Sequence, residues 1–215
     1  MEEEVRVEEA QSAPAYGRTN WRRFAVAVGV PTVVAGGLVL ALAEGALAAN
    51  FTVSGKQFKL TADTLVGTGF TQYSGELDTQ DPDYPGGKIP AAMSGIKSAT
   101  LVGLCQSVAV GPVTLRIEAG NDANNPVKAE NLLIGMSELG GNATFEDIQI
   151  GLDASTMTRD GAESHGAPGS FGQQSRTVTI ENLRQKAYYT SASTFVLNGM
   201  SLKLHIGGSH ECYQD

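Results

Sequence analysis

The sequence predicts an all-β domain after residue 50, and three observations predict it. Apolar and polar residues alternate with a period of two in segment after segment, as half-buried strands require. No stretch beyond residue 50 sustains the 3.6-residue period of an amphipathic helix. Glycine occupies 26 of 215 positions, where average usage would give about 15, so the chain turns often.

The alternation can be followed element by element. Phe58, Leu60 and Ala62 alternate with Lys59, Thr61 and Asp63, and Val113, Leu115 and Ile117 with Thr114, Arg116 and Glu118. Ile148-Ile150-Leu152 and Val178-Ile180 repeat the pattern. The cleanest case is the last, Met200, Leu202, Leu204 and Ile206 against Ser201, Lys203 and His205. Each predicts a strand with one apolar and one wetted face. Glycine-, proline- and polar-rich stretches at Asp78–Ser94 and Asp160–Arg176 are expected to interrupt the strands.

Four segments share a loose pattern: Ala62-Asp63-Thr64-Leu65, Ala99-Thr100-Leu101, Ala129-Glu130-Asn131-Leu132 and Ile180-Glu181-Asn182-Leu183. Their leucines are 36, 31 and 51 residues apart, too irregular for a regular solenoid. The expected architecture is an antiparallel β-sandwich or open trough, with an imperfect β-solenoid as the alternative.

Before residue 50 the chain changes character. Residues 1–23 read as a disordered acidic tail ending in a basic collar, Arg18, Trp21, Arg22 and Arg23. Residues 24–49 open with an uncharged run from Phe24 to Ala43, 20 residues long. As a helix at about 1.5 Å per residue it would match the hydrocarbon thickness of a bilayer. The collar on its N-terminal flank would face the cytoplasm, with residues 50–215 outside. The segment reads as a retained single-span anchor. Cleavage near Ala48, where Ala46-Leu47-Ala48 offers a small-x-small site, is the alternative and would give a secreted domain.

Charge and cysteine count narrow the function. Fifteen Lys+Arg against 23 Asp+Glu give a net charge of −8, and no basic patch appears, which argues against nucleic acid. Two cysteines cannot build an all-cysteine metal site. In an exported domain, Cys105 and Cys212 are most simply a disulfide pinning the C-terminal strand. Asp78, Asp81 and Asp83 offer oxygen ligands of the kind calcium takes, but they lack the spacing of a calcium loop, and Pro82 and Pro85 point to a turn instead. No cofactor-binding motif is present.

A serine nucleophile would need an elbow of the form G-x-S-x-G, and none occurs. The nearest approaches place Ser137 after Gly135-Met136 and Ser170 between Gly169 and Phe171-Gly172. Ser209, His210 and Glu211 supply the residue types of a triad, but neighbours on an extended chain point opposite ways.

The collar Trp21-Arg22-Arg23-Phe24 before a single hydrophobic span is followed by a β-rich domain. That domain holds Ala129-x-Asn131-Leu132 and Phe145…Ile150-Gly151-x-Asp153-Ala154. The combination resembles an actinobacterial envelope family of unknown function, often labelled "cholesterol esterase", from about residue 18 to the end. The label implies a serine hydrolase of lipid or sterol esters, for which Ser137 and Ser170 are the candidate nucleophiles. The reading expected from the residues is different: a non-catalytic envelope domain. It would bind a lipid or other apolar ligand, or act as an interaction module with membrane lipid and a membrane-protein partner around it.

Overall fold

The computed structural model describes residues 52–159, 164–207 and 210–214. The acidic tail, the collar and the predicted span lie outside these residues, as does Ser209; among the described residues no helix is long and apolar enough to cross a membrane. Residues 50–215 form a compact unit holding two hydrophobic cores and a disulfide, so this part folds as a domain.

Among the described residues ten strands make one sheet: β1 (Thr52–Val53), β2 (Phe58–Thr79), β3 (Lys88–Val102), β4 (Leu104–Val110), β5 (Val113–Ala119), β6 (Val127–Glu146), β7 (Gln149–Asp153), β8 (Phe171–Ser191), β9 (Thr194–Val196) and β10 (Ser201–Ile206). All pairings are antiparallel except β1 with β2. The four long strands form a ring, because β2 pairs with β3, β3 with β6, β6 with β8, and β8 with β2 again. Following partners from Ser74 to Ala92, Met136 and Ala187 leads back to β2 at Phe58, much nearer its start. The sheet therefore closes with a large stagger, which tilts and coils the strands. The predicted antiparallel all-β domain holds. Its walls face one another across a shared core as sandwich layers do, and the antiparallel ladders exclude stacked solenoid coils.

A ring so narrow needs bends. At Gly69, Lys97 and Asn131 the ladder bridges are missing, as they are between Asp63 and Asn182, although the register on either side is unchanged. Gly69, Asn131 and Asn182 take left-handed backbone, with φ of 67°, 49° and 52°. Glycine and asparagine tolerate that region best among ordinary residues. At three of the four similar segments the alternation skips a beat: Ala62 with Leu65, Ala129 with Leu132, and Ile180 with Leu183, each three apart, all face the principal core. The repeated pattern marks bends and not coils of a solenoid. Inside the ring there is little room: a Cβ at Gly67 would lie 2.6 Å from Ile96 Cγ2.

A smaller core of Val53, Leu77, Ile89, Ala91 and Met93, flanked by Tyr73, Tyr84 and Tyr188, lies at the β2–β3 hairpin. The first expected interruption is shorter than predicted. Only residues 80–87 leave the ladder, and Lys88–Ser94 belongs to β3. Pro90 is accommodated because pairing of β3 with β6 starts only at Ala92, leaving that edge free. The second interruption likewise ends at Phe171, where β8 begins.

Strands β4, β5 and β10 extend the sheet as a flap, in the order β10-β5-β4-β2. Leu104 and Ala119 at its base enter the core. The C-terminal tail lies over one face, with Cys212 bonded to Cys105 and its N–H donating to Ser107 Oγ at 3.0 Å. Lys59 Nζ reaches Glu211 at 3.0 Å and stands 5.1 Å from the Tyr213 ring centroid, and His210 stacks on His205 at 4.3 Å. The prediction for β10 is thereby corrected. Its polar side carries the stacked His205 under the tail, while Leu202, Leu204 and Ile206 stand in solvent. Alternation separates two faces of a strand, but a crosslinked tail decided which one is covered.

Two expectations follow. The disulfide closes 107 residues, so replacing both cysteines with alanine is expected to lower unfolding free energy by about 4 kcal/mol in the chain-entropy account, measured by denaturant titration. Asn182→Val is expected to destabilise by about 1–2 kcal/mol, because a β-branched residue resists left-handed backbone, whereas Asn182→Gly should be tolerated.

Candidate functional site

Where the inner face of β2, β3 and β6 runs out to solvent, a pocket of about 520 Å³ opens. Gln72, Tyr73, Ser74 and Gly75 come from β2, Pro90, Ala91 and Ala92 from β3, Met136 and Ser137 from β6, and Phe171 from the start of β8. Met136 belongs to the principal core and Ala92 packs against it, so the floor is continuous with the hydrophobic interior. Phe171 stands exposed on the rim. No lining residue is charged.

Several polar groups around the pocket bond to neighbouring side chains. Gln173 donates to Gln72, whose own amide donates to Ser94 Oγ at 3.1 Å. The Tyr73 hydroxyl shares a hydrogen bond with Ser164 Oγ at 2.8 Å, and burial pushes its phenol up, so it stays neutral. The pocket therefore offers an apolar floor and a neutral polar rim, the composition of a site for an uncharged molecule.

The candidate nucleophiles take separate places. Ser137 lies in the pocket, where its Oγ accepts from Gln57 Nε2 at 2.8 Å and lies 3.4 Å from the Lys186 carbonyl. Ser170 donates to the Ala167 carbonyl at 2.7 Å in the turn before β8. Among the described residues no histidine or carboxylate, the groups that would take a nucleophile's proton, hydrogen-bonds either serine. His210 and Glu211 engage His205 and Lys59 instead.

The three aspartates are divided among lysines. Asp78 pairs with Lys88 at 2.7 Å, while Asp81 and Asp83 share Lys56 at 2.9 and 3.2 Å. Among the described residues no three His, Cys, Asp or Glu side chains gather as a metal site would need. Asp81 Oδ1 also accepts the Asp83 N–H at 3.0 Å. That backbone bond first, and then Lys56, hold the Asp81 carboxyl below the usual carboxylate range. The cluster clasps the segment after β1 against the β2–β3 turn.

Asp153 and Asn131 also have structural duties. Asp153 caps the short 3-10 turn Ala154–Thr156, its carboxylate accepting N–H bonds from Ser155 at 2.9 Å and Gly169 at 2.8 Å. Those two bonds hold its carboxyl low. Asn131 makes the bend in β6. Sequence reasoning missed the pocket itself. Of its lining residues it had singled out only Ser137, and Pro90, Ala92, Met136 and Phe171 carry no local signature of a site.

A sequence profile described as a family of unknown function, DUF6230, matches residues 54–213. The chain belongs to the DUF6230 family. That match spans every strand of the ring, the pocket, the flap and both cysteines, so the DUF6230 domain is the β domain itself. No curated protein and no solved structure matches the chain.

Because Asp81 has a depressed carboxyl pKa, its contribution to stability is complete above the ordinary value near ~3.9 and is lost as pH falls through the lower folded value. Asp81→Asn is expected to lower Tm at neutral pH. The gap from the unsubstituted domain should close as pH falls below the ordinary carboxylate range, in thermal melts followed by circular dichroism.

Proposed function

We propose that this DUF6230 domain is a non-catalytic cell-envelope module that holds a neutral, apolar ligand of the lipid class in the pocket at the mouth of its closed sheet. One observation carries the reading: an uncharged pocket of about 520 Å³ whose floor is the hydrophobic core. That volume falls in the range of small-molecule sites, about 300–1,000 Å³. Ser74 and Ser137, both in its lining, supply neutral hydroxyls for a hydroxyl or ester head.

Placement outside the cytoplasmic membrane rests on the leader, with its basic collar Arg18, Trp21, Arg22 and Arg23 before an uncharged run of 20 residues. Retention of that run would make a single-pass protein with the domain outside; cleavage near Ala48 would release it. The Cys105–Cys212 disulfide supports an oxidising compartment. The non-catalytic reading is supported by the partners of Ser137 and Ser170, an amide and a backbone carbonyl.

Native mass spectrometry on the protein released gently from its own membrane tests the proposal. A stoichiometric added mass in the lipid range is expected, and it should vanish in Ser74→Trp, which fills the pocket from an exposed position on β2. A bare protein mass from both proteins would overturn the reading.

A further inference from the structure

The flap has an apolar face that the domain does not cover. Directly paired residues of neighbouring strands share a face, and the pairs Leu202 with Ile117, Leu204 with Leu115, and Ile206 with Val113 line up on one side. Val110, opposite Val113, continues that side onto β4. It is the same face that holds Leu104 and Ala119 in the core, carried outward into solvent.

Exposure rises toward the tip. Leu202, Leu204 and Ile206 are 54%, 62% and 78% exposed, and Val110 at the β4–β5 turn is 60% exposed. The turn is Val110-Gly111-Pro112-Val113, and the Gly207 N–H donates to the Pro112 carbonyl at 2.8 Å, tying the end of β10 to it. From Ser107 to Leu115 the sequence carries no charge. The charges of the flap, Arg116, Glu118 and Lys203, belong to the opposite face, as does His205.

We infer that this tip docks into the surface of a neutral lipid bilayer, with Val110 and Ile206 entering deepest. A charge-free prow matches hydrocarbon, where a buried charge is costly. Residues 50–215 hold 17 Asp+Glu against 11 Lys+Arg, and that net charge of −6 disfavours anionic lipid. A second copy fits less well, because three strands of about six residues make a face of about 14 Å by 20 Å. That is well short of the roughly 800 Å² per partner of a standard interface. The site is separate from the pocket, so it stands or falls independently of the ligand proposed there.

The test uses the 50–215 domain and phosphatidylcholine vesicles. The chain's single tryptophan is Trp21, so this domain has none and Ile206→Trp reports on the tip alone. Sedimentation with vesicles is expected, and the introduced indole should show blue-shifted emission that brominated lipid quenches. Val110→Asp with Ile206→Asp should weaken binding at least about tenfold, while Lys203→Glu on the opposite face should leave it unchanged. Both aspartates replace exposed side chains, and an unaltered Tm would confirm that the fold survives. Failure of the unsubstituted domain to bind, or binding indifferent to the double aspartate variant, would overturn the inference. A concentration-dependent dimer that the same variant splits, without vesicle binding, would overturn it in favour of a second copy.

Discussion

Ring closure is the constraint from which the rest of this structure follows. Four long strands each need partners on both edges, and β8 must return to β2 to supply the last ladder. Closure uses up edge hydrogen-bonding groups that would otherwise invite pairing with other chains. It also forces a large stagger, so single strands run along two walls and must bend between them. Left-handed residues at Gly69, Asn131 and Asn182 provide those bends, and glycine at position 67 makes room where the walls approach.

Beyond the ring, strand edges and apolar faces are no longer satisfied automatically. The flap shows how the chain manages this on one side only. A disulfide and the Lys59–Glu211 pair hold the C-terminal tail against its polar face, where Ser107 and Thr114 are buried. Its other face leaves the core still apolar. The mouth pocket has a related origin: the inner face of β2, β3 and β6 continues to Ser74, Ala92 and Met136, where the opposing wall no longer covers it. Hydrophobic residues placed for closure thus remain available to something else at two places.

The sequence disclosed these features unequally. The period-two pattern announced strands because alternation is a local property of the backbone. The Glu-Asn-Leu segments were visible as a pattern, yet their meaning needed the ladder: only with Ala129 and Leu132 both in one core does Asn131 become a bend. The pocket was illegible because its lining joins residues from four strands, none with a chemical signature. Ser137 drew attention as a possible nucleophile, whereas its neighbours Gln57, Met136 and Ala92 describe a neutral apolar cleft.

By itself the sequence determined the strand content, the cysteines available for one crosslink, and the asparagine and glycine positions able to take left-handed backbone. These depend on residue type and near neighbours. Tertiary structure alone decided that β8 closes onto β2, that Asp78, Asp81 and Asp83 are shared between Lys88 and Lys56, and that β10 turns its leucines outward. The physical reason is common to all three. Alternation and charge define what each face of a strand offers, but which face is covered depends on segments distant in sequence.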